Sequence, residues 1–187
     1  MAKSCRAAIT RASSSRRLIA FDLDGTLVDS IEDIRAALND ALRACFGAAP
    51  TLDTESVRRM VGHGAIRLAM RAMQAHLDRP ARPEEEDALL REFLHRYEQS
   101  LTTHSTVYPG IADMLHDLRQ QDFVIAVATN KPQAIARSVV AQLLPGLVDL
   151  VVGPEGAGAH KPSPNMLHWL AEHANAEPMA LVGDSLV

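Results

Sequence analysis

Cysteine is scarce in this chain: Cys5 and Cys45 are the only two in 187 residues. They form neither a metal-ligand spacing nor a disulfide framework, and Cys45, at an apolar helix position, reads as a core thiol. Basic excess is lacking too. Nineteen Lys and Arg stand against 23 Asp and Glu, a formal net charge of -4, without the surplus that marks a nucleic-acid binder. The expected partners are therefore small molecules. No apolar run approaches the roughly 18 to 20 residues that cross a bilayer, and the N-terminus holds no secretory apolar core. Neither a membrane span nor export is expected, and the expected site of action is the cytoplasm. There is no repeat at solenoid period, and the eight histidines show no ligand spacing.

What is present, at 47% hydrophobic and 22% charged residues, is enough for one soluble domain, or for a core domain carrying a smaller insertion. Residues 1–17 hold Lys3, Arg6, Arg11, Arg16 and Arg17 with three consecutive serines and no acid. That composition predicts a disordered basic leader. Leu18 to Phe21 reads as a buried strand, and the loop from Asp24 to Ser30 leads into an amphipathic helix. Its apolar positions Ile31, Ile34, Leu38, Ala41, Leu42 and Cys45 recur at helical spacing, with Ser30 placed to cap it and Gly47 to stop it.

From Thr51 to Ser100 the pattern stays helical. Segments 56–61, 65–77 and 84–100 each supply an apolar face, and the last opens with Glu84, Glu85, Glu86 and Asp87, charges that favour a helix N-terminus. After Val107-Tyr108-Pro109-Gly110, helices and strands alternate: helix 111–119, strand 123–128, helix 133–144, strand 150–153, helix 165–173 and strand 180–182. Strands separated by helices require crossover connections and so build a parallel sheet with helices on both faces. The expected architecture is an α/β, Rossmann-like parallel-sheet core, residues 18–30 and 107–187, with an all-helical cap inserted over 31–106.

In such a sheet the ligand site lies beyond the carboxyl ends of the strands. The first strand delivers Asp22 and Asp24 there, two residues apart and therefore on the same side of extended chain. Carboxylates so crowded repel unless a cation lies between them or one keeps its proton. The second strand ends in Thr129-Asn130-Lys131-Pro132, the loop after the third carries Lys161-Pro162, and the fourth delivers Gly183-Asp184-Ser185. Carboxylates, a hydroxyl, an amide and a lysine suit phosphoryl transfer, and hard oxygen donors suit Mg²⁺ better than zinc.

These residues carry a resemblance to the haloacid dehalogenase-like phosphatases. Asp22-Leu23-Asp24-Gly25-Thr26 is similar to the first family motif, Ala128-Thr129-Asn130 to the second, Lys161-Pro162 to the third and Gly183-Asp184-Ser185 to the start of the fourth. Val61-Gly62-His63-Gly64 resembles a glycine motif of the cap, and Val107-Tyr108-Pro109-Gly110 the return from cap to core. The resemblance implies a Mg²⁺-dependent phosphatase for a small phosphorylated metabolite, with 2-phosphoglycolate the expected substrate. Asp22 would be the nucleophile that becomes an aspartyl phosphate, and Asp24 the general acid and base. Thr129 and Asn130 would hold the phosphoryl group and Lys161 would compensate its charge. Asp22, the Asp24 carbonyl and Asp184 would hold Mg²⁺, with Gly25 and Thr26 supporting the turn beside the substrate. His63 would approach the substrate from the cap.

The family's fourth motif continues with a further acid three residues after the serine, one position past Val187. A supporting group of that kind is worth about 10- to 100-fold in metal affinity or activity, so the 187-residue form is expected to be less stable and less active than a longer one, with its last strand at an open sheet edge. Pyrophosphatase or phosphomutase chemistry and an inactive relative with a binding role stay open, as does the choice between monomer and homodimer.

Overall fold

The computed structural model describes residues 16–47, 51–77 and 79–184. A strand buried on both faces sends alternate side chains into two different cores, and β1 (Arg16–Phe21) does so. Leu18 and Ala20 pack with Val124, Ala126, Met166 and Leu170 on one side. Ile19 and Phe21 pack with Ile125 and Val127 in the larger cluster on the other. The strand begins at Arg16, so the last two residues of the expected leader are strand residues, and residues 1–15 lie outside the described chain.

The remaining elements follow in chain order as β2 (Val28–Asp29), α1 (Ile31–Phe46), α2 (Thr54–Met60), α3 (Ala65–His76), α4 (Pro83–Gln99) and β3 (Thr106–Val107). Then come α5 (Ile111–Gln120), β4 (Phe123–Ala128), α6 (Gln133–Leu143), β5 (Leu150–Val152), α7 (Pro154–Ala157), α8 (Asn165–Ala174) and β6 (Ala176–Val182). The sheet order is β5-β4-β1-β6, every pair parallel. Helix α8 covers one face, and α5 and α6 supply Leu115, Ile135, Val139 and Val140 to the other. No helix among the described residues is long and apolar enough to cross a membrane.

Strand β6 starts at Ala176, four residues before the reading from apolar spacing placed it, because Pro178 and the charged Glu177 disguise its first half. Pro178 has no N–H for the ladder, and the register to β1 shifts between Pro178 and Ala180. The strand forms a sheet edge, with Met179, Leu181 and Val182 exposed at 58, 42 and 42%.

Helices α1 to α4 leave and rejoin the core through β2 and β3, which pair antiparallel as Val28↔Val107 and Asp29↔Thr106. Two-residue strands have no periodicity to read, so the sequence did not announce them. Beside this hinge, Asp33 on α1 is 1% exposed. Its carboxylate accepts from the Ser105 N–H at 2.8 Å, the Ser105 hydroxyl at 2.6 Å and the His104 N–H at 2.9 Å. The returning chain is thus fastened to the first helix of the insertion. Asp33→Ala strands buried donors on Ser105, and urea unfolding should register a loss of about 2 to 4 kcal/mol. A loss under about 0.5 kcal/mol, the ordinary range for a surface change, would contradict a fastening role.

Candidate active site

The turn after β1 is shaped by what it buries. Leu23 is fully buried, and its carbonyl accepts from the N–H groups of Thr26, Leu27 and Val28 at 3.3, 3.0 and 3.0 Å. With Leu23 pointing inward, Asp22 and Asp24 on either side of it both face the same cavities. The Asp22 N–H donates to the Val182 carbonyl at 2.8 Å, extending the pairing with β6, and Oδ1 of Asp22 accepts from the Leu23 N–H at 2.8 Å. Gly25 then takes φ +84°, a left-handed conformation that glycine adopts without strain.

Each carboxylate has its own lysine. Nζ of Lys161 lies 2.5 Å from Oδ2 of Asp22, with the two side chains 5 and 13% exposed. Nζ of Lys131 donates to Oδ1 and Oδ2 of Asp24 at 2.8 and 3.1 Å, and to the Tyr97 hydroxyl at 2.6 Å. The Ser30 hydroxyl donates to Oδ1 of Asp24 at 2.5 Å. Ser30 therefore does not cap α1 through its side chain as its position suggested, because its hydroxyl is committed to Asp24. Burial is the largest influence on the Lys131 ammonium and opposes its charge, but the Asp24 carboxylate and the Tyr97 oxygen outweigh it and raise the pKa above the usual lysine value. Burial pushes the Tyr97 hydroxyl up as well.

Thr129 and Asn130 follow β4 and are both buried. The Thr129 N–H donates to the Val152 carbonyl at 3.1 Å, and its hydroxyl oxygen accepts from the Lys131 N–H at 3.2 Å. Asn130 works between loops. Its Oδ1 accepts from the Lys161 N–H at 2.7 Å, and Nδ2 donates to the Gly62 carbonyl of the helical insertion at 3.0 Å. Its side chain joins Lys161 to the insertion, and with Thr129, Asp22 and Asp24 it also lines the cavity between them.

Asp184 follows β6 and is exposed. Its N–H donates to the Thr26 hydroxyl oxygen at 3.1 Å, and that hydroxyl lies 3.3 Å from Oδ1 of Asp184. A Cβ on Gly25 would sit 2.5 Å from Oδ2 of Asp184, so the glycine leaves the room that this carboxylate occupies. Ser185 lies outside the described residues. Among the described residues, no group of three or more His, Cys, Asp or Glu side chains is placed to hold a metal by itself. The Asp24 carboxylate is engaged by Lys131 and Ser30 and that of Asp22 by Lys161, and the Asp29 and Asp184 carboxylates border the same cavity, so the donors a cation would meet here are all oxygens. That all-oxygen set fits Mg²⁺ in kind.

Two adjoining cavities meet at these groups. One, of about 50 Å³, is lined by Asp22, Asp24, Thr129 and Lys131 with Leu68, Phe93 and Tyr97 from the insertion. The other, of about 90 Å³, is lined by Asp22, Asp24, Gly25 and Asp184 with Arg58 and Tyr108. His63 lines neither. It borders a third cavity with Arg67 and His160 that reaches the site only at Lys161. Lys131, Tyr97, Ser30 and Arg58 were not singled out by the sequence reading. Lys131 carried a usable signal, since Pro132 after it delays the next helix and keeps it at the strand end. Tyr97 and Ser30 sit in ordinary helical and turn patterns and carried none.

Residues 16–187 match the model of the haloacid dehalogenase-like hydrolases. The chain is 38% identical over 178 residues to phosphoglycolate phosphatase of Vibrio cholerae, covering 91% of this chain and 77% of that one. It is 36% identical to phosphoglycolate phosphatase 1 of Pseudomonas aeruginosa, covering 90% of this chain but only 62% of that one. The crystal structure of a predicted phosphoglycolate phosphatase from Haemophilus somnus superposes with a TM-score of 0.80 at 29% identity, over 90% of this chain and 77% of that one. The chain belongs to the haloacid dehalogenase-like hydrolase family, and with these relatives it is a phosphoric monoester hydrolase.

Proposed function

We propose that the chain hydrolyses 2-phosphoglycolate to glycolate and phosphate, with Mg²⁺ as cofactor and a phosphoryl group carried transiently on Asp22. The observation that supports this most is the Asp22–Lys161 ion pair, 2.5 Å long, beside Thr129 at the carboxyl ends of parallel strands. An oxygen of Asp22 bonds to phosphorus while the bond from phosphorus to the ester oxygen breaks, and that oxygen leaves with the electron pair and a proton from Asp24, which must enter the step protonated and regains that proton from water in the second step. Water then attacks the aspartyl phosphate, Asp24 takes its proton, and the Asp22 carboxylate is released with phosphate. Lys161 and the Thr129 hydroxyl face the transferring oxygens, where charge must be met throughout the displacement. Ser30 and Lys131 hold the Asp24 carboxyl toward the cavity.

When bound by Asp22, Asp184 and the Asp24 carbonyl, Mg²⁺ supplies neutralising charge to the phosphoryl oxygens. The small size of the substrate is supported by the cavities, about 50 and 90 Å³ under a helical cover, against about 10 to 15 Å³ needed to hold one water. The relatives' names supply the particular ester.

The test is a phosphomonoester panel containing 2-phosphoglycolate, assayed by phosphate release with and without Mg²⁺. EDTA should abolish turnover and added Mg²⁺ should restore it; undiminished turnover in EDTA would remove the metal from the mechanism. Asp22→Asn should lower turnover by more than about 1000-fold, as expected when a nucleophile is lost, and an unaffected rate would exclude Asp22 from that role. Gly25→Ala places a methyl against the Asp184 carboxylate and should weaken Mg²⁺ activation by about 10-fold or more, read as a rise in the half-saturating Mg²⁺ concentration. An unchanged Mg²⁺ titration would separate Asp184 from the metal.

A further inference from the structure

Arg58 is the one cationic residue that lines the larger of the two site cavities, and the proposed chemistry leaves it unused. It lies on α2, next to the fully buried Val57 that seats this short helix. The helix is tied down at both ends. Asp53 accepts from the Ser56 N–H at 2.7 Å, and Arg71 donates to the carbonyls of Arg59 and Met60 at 3.3 and 3.2 Å. Arg59 pairs with Glu55 at 3.4 Å. Arg58 has no hydrogen-bond or ion-pair partner among the described residues, and it lines the cavity that holds Asp22, Asp24, Asp29 and Asp184.

That arrangement is electrostatically one-sided. Four carboxylates border the space, two of them already answered by Lys161 and Lys131 from outside its lining, and Arg58 is the one cationic side chain in the lining itself. Asp22 and Arg58 line the same cavity from the sheet and from the helical insertion, so a phosphomonoester with its phosphorus at Asp22 can present its other end to Arg58. Among the described residues no ion pair joins Arg58 to Asp29 or Asp184, so its guanidinium is open to a group that enters the cavity. If that group is a carboxylate, the planar fork of Arg58 offers two parallel donors to its two oxygens. Resting on the phosphatase reading above, we propose that Arg58 is a specificity residue that selects phosphomonoesters bearing a carboxylate at the end remote from phosphorus.

The experiment compares kcat/KM for 2-phosphoglycolate with that for ethyl phosphate, which has a methyl group where the first has its carboxylate, using the full chain and its Arg58→Ala and Arg58→Lys variants. The wild-type chain should prefer 2-phosphoglycolate. Arg58→Ala should cut that preference by about 10- to 100-fold, the worth of a charge-assisted hydrogen-bonded pair, mainly through a higher KM. Arg58→Lys, which keeps the charge but loses the fork, should fall between the two. Equal preference in wild type and Arg58→Ala, or equal losses on both esters, overturns the inference while leaving the phosphatase reading intact. A wild-type chain that turns over neither ester overturns both. Arg58 is exposed, and Arg58→Gln, of similar length, provides a second neutral variant whose preference should fall with that of Arg58→Ala.

Discussion

Two acids delivered by one buried strand set the terms for the rest of the molecule. Like charges about 4 Å apart repel by about 4 kcal/mol at an effective dielectric near 20, a large share of the roughly 5 to 15 kcal/mol that keeps a domain folded. Asp22 and Asp24 escape that cost because each meets a separate lysine at 2.5 and 2.8 Å. The lysines come from the loops after β4 and β5, the strands lying on one side of β1 in the sheet order. Strand order thus brings both lysines to the edge where the two half-buried carboxylates emerge.

The same groups tie the helical insertion to the sheet. Tyr97 on α4 accepts from Lys131, the Gly62 carbonyl accepts from Asn130, and Leu68 and Phe93 close over the space between. Because Lys131 touches both Asp24 and Tyr97, the position of the insertion and the environment of Asp24 are coupled through one ammonium group. The pairing of β2 with β3, together with Asp33 fastened to Ser105, fixes where the insertion leaves and rejoins the core. Burial of the Lys131–Asp24 pair alone argues weakly for stability, since desolvation offsets much of the attraction; its value lies in where it holds Asp24.

How much of this could be read beforehand follows from which signals are local. Strand β4 and helices α1, α3, α4, α5, α6 and α8 are long and periodic, and their apolar spacing gave them within a residue or two. The candidate residues could be expected at one edge of the sheet because Asp22, Thr129 and Asp184 come directly or nearly so after strands, and Lys161 lies in the connection that follows β5. Pairings across the chain were not legible. Nothing around Tyr97 signals a partner 34 positions away, and Ser30 looked like a helix cap until the structure gave its hydroxyl to Asp24. For the same reason the hydrogen bonds that join Asn130 to Lys161 and Gly62 were not legible, although its place at the cavity was. His63 was drawn in by its glycine neighbours, but loop composition does not fix which way a side chain faces, and it faces another cavity.

The central claim is that Asp22 forms a covalent bond to phosphorus. Acid quenching during turnover of 2-phosphoglycolate, followed by peptide mass spectrometry, tests it most directly. The account predicts an acyl phosphate on the peptide containing Asp22, absent when Asp22 is replaced by Asn. Phosphate found on a different residue, or steady turnover with no phosphorylated peptide at any quench time, would contradict it.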